Sequence, residues 1–289
     1  VWDRRLRGQG WIDLPRPERH AKRLVSRAGG AAWLSGLLAG MAAGILMVAG
    51  ALGGRPGHGP TDPAGALAEW TPNRLLTAIT PTAIVGLVAV LAFFLGRLDD
   101  RGLLRPGRKW VLQVALLAGG MLGILISPGL RSAFPAVGFG VGPEAACSVG
   151  SLLPLAVVFS IGVVLQVALE ILDHLDGLLV VHAMAGAAAL ALAAGPGWAR
   201  DAGLAGCGAS LGFLCWNRPP ARLYLGNGGS LAVATVLPLL LIALTAHGPD
   251  GIIRDFGRAT DLGGFARDPV CGPAGVSPWR FAAVLPVFA

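Results

Sequence analysis

Six long apolar runs limit what this chain can become. They cover residues 30–52, 75–95, 110–127, 151–169, 178–195 and 230–246. A stretch of about 18 apolar residues is long enough to cross a bilayer as a helix, and a helix is one of the two backbone forms that satisfy their own hydrogen bonds in lipid. Two weaker runs, 202–216 and 276–289, raise the expected number of spans to about eight. The fold class read from this pattern is all-α, a polytopic integral membrane helix bundle. Nothing is left over for a soluble domain, and no internal repeat is visible.

Composition agrees. Of the 289 residues, 54% are apolar and only 13% charged, against about 25% charged in soluble domains. The net charge of +7 could suggest nucleic acid, but the basic residues are placed by topology. Fifteen of the 23 Lys and Arg fall in residues 1–28, 97–109 and 217–229. Alternating crossings put these segments on one side together with 170–177. The positive-inside rule makes that side cytoplasmic. No secretory signal is expected, because the first 28 residues are too polar and basic. Val1 in place of Met and an end at Ala289 inside an apolar run read as truncation at both ends, with a non-Met start codon as the alternative for Val1. The four Cys have no metal spacing. Cys207 and Cys215 read as small core residues, and Cys147 and Cys271, both in external loops, as two free thiols, with a disulfide between them as the alternative.

Four polar segments carry candidate chemistry. The first, 10–30, is a Pro/Glu/Arg-rich approach containing Lys22, closed by Gly29-Gly30, which permits close backbone contact. The second, 96–109, holds the adjacent carboxylates Asp99 and Asp100 at a helix mouth, where uncompensated charge is costly. Lys109 and Gln113 follow one helical turn apart, on one face. The third, 170–177, places Glu170, Asp173 and Asp176 at i, i+3 and i+6, roughly one helix face, with no neighbouring Lys or Arg. A cation or hydrogen-bonding ligand is the economical explanation. His174 and His182 read as locally satisfied polar groups. The fourth, 216–230, runs from Asn217 through Pro219-Pro220 to Gly226-Asn227-Gly228-Gly229-Ser230, a Gly-rich entry to a helix whose N–H groups suit phosphate. Outside these segments, Gly36, Gly40 and Gly44 repeat every four residues, a pattern for close helix packing in lipid.

In this order the four segments resemble the polyprenyl-phosphate N-acetylhexosamine-1-phosphate transferases (glycosyltransferase family 4), which include the undecaprenyl-phosphate GlcNAc-1-phosphate and phospho-N-acetylmuramoyl-pentapeptide transferases. The likeness runs from about Gly10 to Ser230. The family's Asp-Asp pair with following Leu, Lys and Gln is similar to Asp99, Asp100, Leu104, Lys109 and Gln113. Its Asn-x-x-Asp-Gly-Leu-Asp-Gly signature resembles 170–177, with Glu170 in place of Asn and His174 in place of Gly. Its Asn-x-x-Pro-Ala-x-x-Phe-Met-Gly-Asp-x-Gly-Ser element resembles 217–230, with Asn227 where the family has a metal-binding Asp.

The resemblance implies one membrane transferase domain over 1–289, with 1–29 a cytoplasmic segment and 30–289 the bundle. It implies transfer of a sugar-1-phosphate, GlcNAc-1-phosphate above others, from a UDP-N-acetylhexosamine to polyprenyl phosphate with release of UMP, on the cytoplasmic face of a bacterial inner membrane. Mg²⁺ is the implied cofactor, with Mn²⁺ as the alternative ion. Membrane lipid is a partner, nucleic acid is not, and a homodimer is compatible. By similarity Asp99 and Asp100 are catalytic, Asp100 and Asn227 hold metal, Glu170, Asp173, Asp176 and Asn217 hold the nucleotide, and Lys22 and Lys109 face phosphate. Two rival readings stay open: a transporter, which predicts acids at mid-helix depth, and a non-catalytic relative with a degenerate metal site. A CDP-alcohol phosphotransferase is excluded, since no acid follows Asp176 until Asp201.

Overall fold

Residues 231–243 present no polar face. A helix that is apolar all round belongs at the centre of a bundle, and a computed structural model of the chain has it there. The structure describes residues 12–13, 25–53, 72–127, 149–194 and 197–247. Its helices are α1 (Gly29–Gly53), α2 (Pro72–Asp100), α3 (Pro106–Ile126), α4 (Val149–Leu172), α5 (Leu178–Ala193), α6 (Trp198–Asn217) and α7 (Gly226–His247). Central α7 packs against each of the other six. From Leu231 to Ala243 its side chains other than Pro238 are 3% exposed or less. A buried polar link joins α7 to α4: Gln166 of α4 donates to Thr235 Oγ1 at 2.9 Å, and Thr235 in turn donates to the Leu231 carbonyl. Without these bonds the amide and hydroxyl would be stranded in an apolar interior.

Seven of the eight expected runs are helices whose ends fall within a few residues of the runs. Among the described residues, four contain stretches long and apolar enough to cross a membrane: Gly29–Met47, Ile79–Asp100, Pro106–Ile126 and Gly226–Leu244. Ala156–Leu172 and Leu178–Ala193 are shorter apolar helices. The eighth run, Lys22, Cys147, Cys271 and the segment 128–148 lie outside the described residues. The all-α expectation gains one exception, a two-residue antiparallel ladder of β1 (Ile12–Asp13) with β2 (Val25–Ser26).

The outside of the bundle is apolar too. Leu46, Leu87, Phe94, Leu122, Val164, Leu192 and Leu204 are all exposed. An apolar perimeter on this scale suits acyl chains, not water. Cys215 faces outward and Cys207 is half-buried, so Cys215 is not the core residue expected from its position.

In lipid, helices associate by close packing more than by hydrophobic exclusion. The spacing of Gly36, Gly40 and Gly44 does this for α1 against α6. A Cβ on these glycines would lie 3.3, 2.7 and 3.2 Å from the Cβ atoms of Ala209, Ala205 and Asp201, themselves four apart. Gly40→Val is therefore expected to destabilise the bundle by about 1–3 kcal/mol through overpacking. Gly208→Ala, where a Cβ would meet nothing within 4 Å, should leave it unchanged or slightly more stable. Thermal unfolding of both variants in one detergent checks the pair.

Candidate active site

Charged side chains gather where helix ends meet. At the end of α2, Gly102 has φ +70°, its N–H donates to the Asp99 carbonyl at 2.8 Å, and the Leu103 N–H donates to the Leu98 carbonyl at 3.1 Å. This is a Schellman C-cap, for which glycine is the usual left-handed residue. It turns the chain sharply enough for Pro106, pre-set for a first helical turn, to start α3 and bring Lys109 back over the end of α2.

The Asp100 side chain is fully buried. Arg97, one turn earlier, lies 2.9 Å from its Oδ2, and Arg27, from the link between β2 and α1, lies 3.2 Å from its Oδ1. The backbone N–H of Asn227 also donates to Oδ1, at 3.3 Å. The first N–H groups of a helix have no intrahelical partner and carry partial positive charge. Asp100 thus caps α7 from a different helix. The approach is close: a Cβ on Gly96 would overlap the Asn227 carbonyl.

Asp99 meets the side chain of Asn227 rather than its backbone. Its Oδ2 accepts from Asn227 Nδ2 at 2.9 Å and lies 2.9 Å from Lys109 Nζ. The same ammonium lies 3.4 Å from Glu170 Oε2 on the last turn of α4. Glu170 Oε1 is buried without a hydrogen-bond partner. The Glu170–Asp173–Asp176 set is not one helix face, as its spacing predicts. Helix α4 ends at Leu172, and the chain continues through tight turns in which the N–H groups of Asp173, His174 and Leu175 bond three residues back. Gly177 then takes φ +77° to start α5. Of these three acids, Glu170 meets its cation from α3, as Lys109.

Asp176 and Asn217 tie two loops together. Asp176 Oδ2 accepts the Ala221 N–H, and Asn217 accepts the Gly177 N–H while donating to the Leu223 carbonyl. The Tyr224 N–H donates to the Ser26 carbonyl, and the Gly29 and Gly30 N–H groups donate to the Tyr224 and Leu225 carbonyls. The entry to α1 is thereby fixed against the entry to α7. His174 and His182 each bond a carbonyl of their own turn through Nδ1, as read from the sequence.

A cleft of about 320 Å³ is lined by Lys109, Glu170, Asp173, His174, Asn227 and Ser230, together with Val167 and Ile171. That is the small end of the range for ligand cavities. A neighbouring cavity of about 30 Å³ reaches Arg27, Asp176 and Asn217 and shares Asp173, His174 and Asn227 with the cleft. It has room for about one water. Asp99, Asp100, Lys109, Glu170, Asp173, Asp176, Asn217 and Asn227 therefore belong to one end of the bundle. Arg27 and Arg97 were not singled out in the sequence. The available signal was Arg97-x-x-Asp100, an i, i+3 pair on a terminal helical turn. Among the described residues, no three His, Cys, Asp or Glu side chains form a ready cation cage.

Fold and site define a class: a multi-pass membrane protein with an ion-paired cleft at one end of its helices. The chain belongs to glycosyl transferase family 4, whose model matches residues 82–245. It is 28% identical over 236 residues to a Bacillus subtilis (strain 168) protein named a probable undecaprenyl-phosphate N-acetylglucosaminyl 1-phosphate transferase; the match covers 80% of this chain and 54% of that protein. It is 32% identical over 149 residues to a phospho-N-acetylmuramoyl-pentapeptide-transferase of Chlamydia muridarum (strain MoPn / Nigg), covering 48% of this chain and 44% of the relative. The chain thus spans about half the length of the curated relatives it matches.

Asp100→Asn removes the anion from between two guanidiniums and is expected to cost about 3–5 kcal/mol, the range for breaking a buried ion pair. Asp99→Asn, at a side chain 19% exposed, should cost clearly less. Chemical or thermal denaturation of both variants tests the order.

Proposed function

We propose that the protein transfers an N-acetylhexosamine-1-phosphate, GlcNAc-1-phosphate foremost, from a UDP-sugar to a polyprenyl phosphate. Family membership supports a transferase. The observation that carries the chemistry is the cleft in which Lys109 meets Asp99 and Glu170 beside the N-terminus of α7. A diphosphate needs cationic groups, and Lys109 is at hand on the cleft wall. Transporter chemistry has less support: apart from Asp201, the acids with described side chains all lie at this one end.

In this reading an oxygen of the lipid phosphate attacks the sugar-bearing phosphorus. The bond from that phosphorus to the bridging oxygen breaks, and its electron pair leaves with UMP. A phosphate monoester, with a second pKa of about 6, needs little help from a base at neutral pH. Asp99 then orients the acceptor and Lys109 more than it removes a proton. Lys109 stabilises charge on the transferring phosphoryl group. Asp173 and His174 line the cleft wall toward the uridine end, with Asp176 and Asn217 holding that wall in shape. Asp100 is assigned to holding Arg27 and the start of α7, since both its oxygens are already engaged.

Mg²⁺ fits the donor set in a specific sense. This ion is commonly held by one or two carboxylates together with substrate phosphates. Asp99 and Glu170 already converge on one cation, and Glu170 Oε1 lacks a partner. The side-chain oxygen of Asn227 is the neutral third donor. When bound, the ion would neutralise charge on the pyrophosphate. About eight spans, a bacterial inner membrane and a cytoplasmic active face complete the reading.

The protein in detergent, given undecaprenyl phosphate, radiolabelled UDP-GlcNAc and Mg²⁺, should release UMP and label the lipid in equal amounts. Absence of both products with UDP-GlcNAc and UDP-MurNAc-pentapeptide alike would sink the transferase reading. For topology, a cysteine replacing exposed Arg108 should resist impermeant maleimide applied to intact cells and react once the cells are opened.

A further inference from the structure

We propose that Lys109 is a tethered cation occupying the divalent-metal position between Asp99 and Glu170, so that metal enters by displacing its ammonium. This rests on the transferase reading only in expecting a metal there; its test needs no turnover.

The geometry is that of one cation shared by two anions. Lys109 Nζ lies 2.9 Å from Asp99 Oδ2 and 3.4 Å from Glu170 Oε2, carboxylates contributed by α2 and α4. Both oxygens of Asp100 are taken by Arg27, Arg97 and the start of α7. Asp99 and Glu170 are therefore the anions that share Lys109, with Asp173 on the wall of the same cleft. One ammonium does not saturate them: Glu170 Oε1 remains buried without a partner. A lysine has a single point charge and three donors on a flexible stem, so it can fill such a place and also leave it.

Charge makes the exchange selective. Arg27, Arg97 and Lys109 balance Asp99, Asp100 and Glu170, and Asp173 on the cleft wall adds one negative charge. A dication alone would make this set positive. A dication arriving with the doubly charged diphosphate of a UDP-sugar leaves its charge unchanged and frees Lys109 to meet the phosphate. Metal and diphosphate should therefore assist each other's binding, reciprocally, as linkage requires. Asn227 belongs to the same arrangement. It donates Nδ2 to Asp99 while Lys109 is in place, and an amide rotated by half a turn would offer its oxygen to a metal instead.

The test is Mn²⁺ binding, read from the loss of the free-ion EPR signal in the absence of any nucleotide. Lys109→Met should bind Mn²⁺ at least about tenfold more tightly than the wild type, the scale expected when one competing charge at contact distance is removed. Lys109→Arg, which keeps a tethered cation, should bind no more tightly than the wild type. Adding Glu170→Gln to Lys109→Met should abolish the gain. UDP should tighten Mn²⁺ binding in the wild type and much less in Lys109→Met. If the Met variant melts well below the wild type, Lys109→Gln is read in its place. Equal Mn²⁺ affinity in wild type and the neutral variants, or a gain that survives Glu170→Gln, overturns the proposal. Failure of sugar-phosphate transfer with this Mn²⁺ pattern intact would remove the transferase reading and leave the cation exchange standing.

Discussion

The buried carboxylate of Asp100 is the constraint on which the rest of this end of the molecule depends. A charge removed from water is tolerated only where it is paired and hydrogen-bonded. Asp100 meets that demand through three elements at once: Arg97 of its own helix, Arg27 from the segment before α1, and the Asn227 N–H in the first turn of α7. Satisfying one anion therefore fixes the entry of α1 and the entry of α7 relative to the end of α2. The adjacent residue, Asp99, is left with its Oδ2 meeting Lys109 of α3 and the Asn227 side chain of α7. Two consecutive carboxylates divide the work, one holding the frame and one facing the cleft, because successive side chains on a helix point about 100° apart.

The same logic explains why glycines crowd the site. Asp100 can cap α7 only if α7 starts almost in contact with α2 and α1. A Cβ on Gly96 would overlap the Asn227 carbonyl, and one on Gly30 would lie 2.6 Å from Gly229. The small residues at the helix entries let backbones approach, and the approach lets short side chains such as Asp and Asn bridge helices without water between them. Farther from the site, α1 and α6 use the same device in its apolar form through Gly36, Gly40 and Gly44.

Much of this was legible in the sequence because its causes are local. Apolar run length gave α1 to α7 to within a few residues, but run length alone does not say which of them is central, because other runs such as 178–195 are as apolar all round. Gly102 and Pro106 mark the turn that returns Lys109 to Asp99. What could not be read were partnerships across helices. Glu170, Asp173 and Asp176 looked like one face of a continuous helix, since nothing in their spacing announces that α4 ends at Leu172. The cation that meets Glu170 lies on α3, sixty-one residues earlier. Arg27 and Arg97 looked like ordinary basic flanks of membrane helices, and only their distances to Asp100 separate them from the other basic residues.

The position of Glu170 bears on how a site with Asn227 can still handle a dication. The resemblance places a carboxylate at 227 and an amide at 170; this chain has the amide at 227 and the carboxylate at 170. Both residues line the same cleft, and both act on the Asp99–Lys109 pair, Asn227 by a hydrogen bond to Asp99 and Glu170 by an ion pair to Lys109. The number of anions around the cleft is thereby kept while one of them moves from the start of α7 to the end of α4. The two places are not equivalent. A carboxylate at the start of α7 would sit beside Asp99 and the capping Asp100, adding a like charge where two already stand. At the end of α4, the carboxylate is separated from Asp100 and held by Lys109. The exchange lowers repulsion near the α7 cap and leaves the ammonium between two anions, which is the arrangement from which its competition with a divalent ion follows.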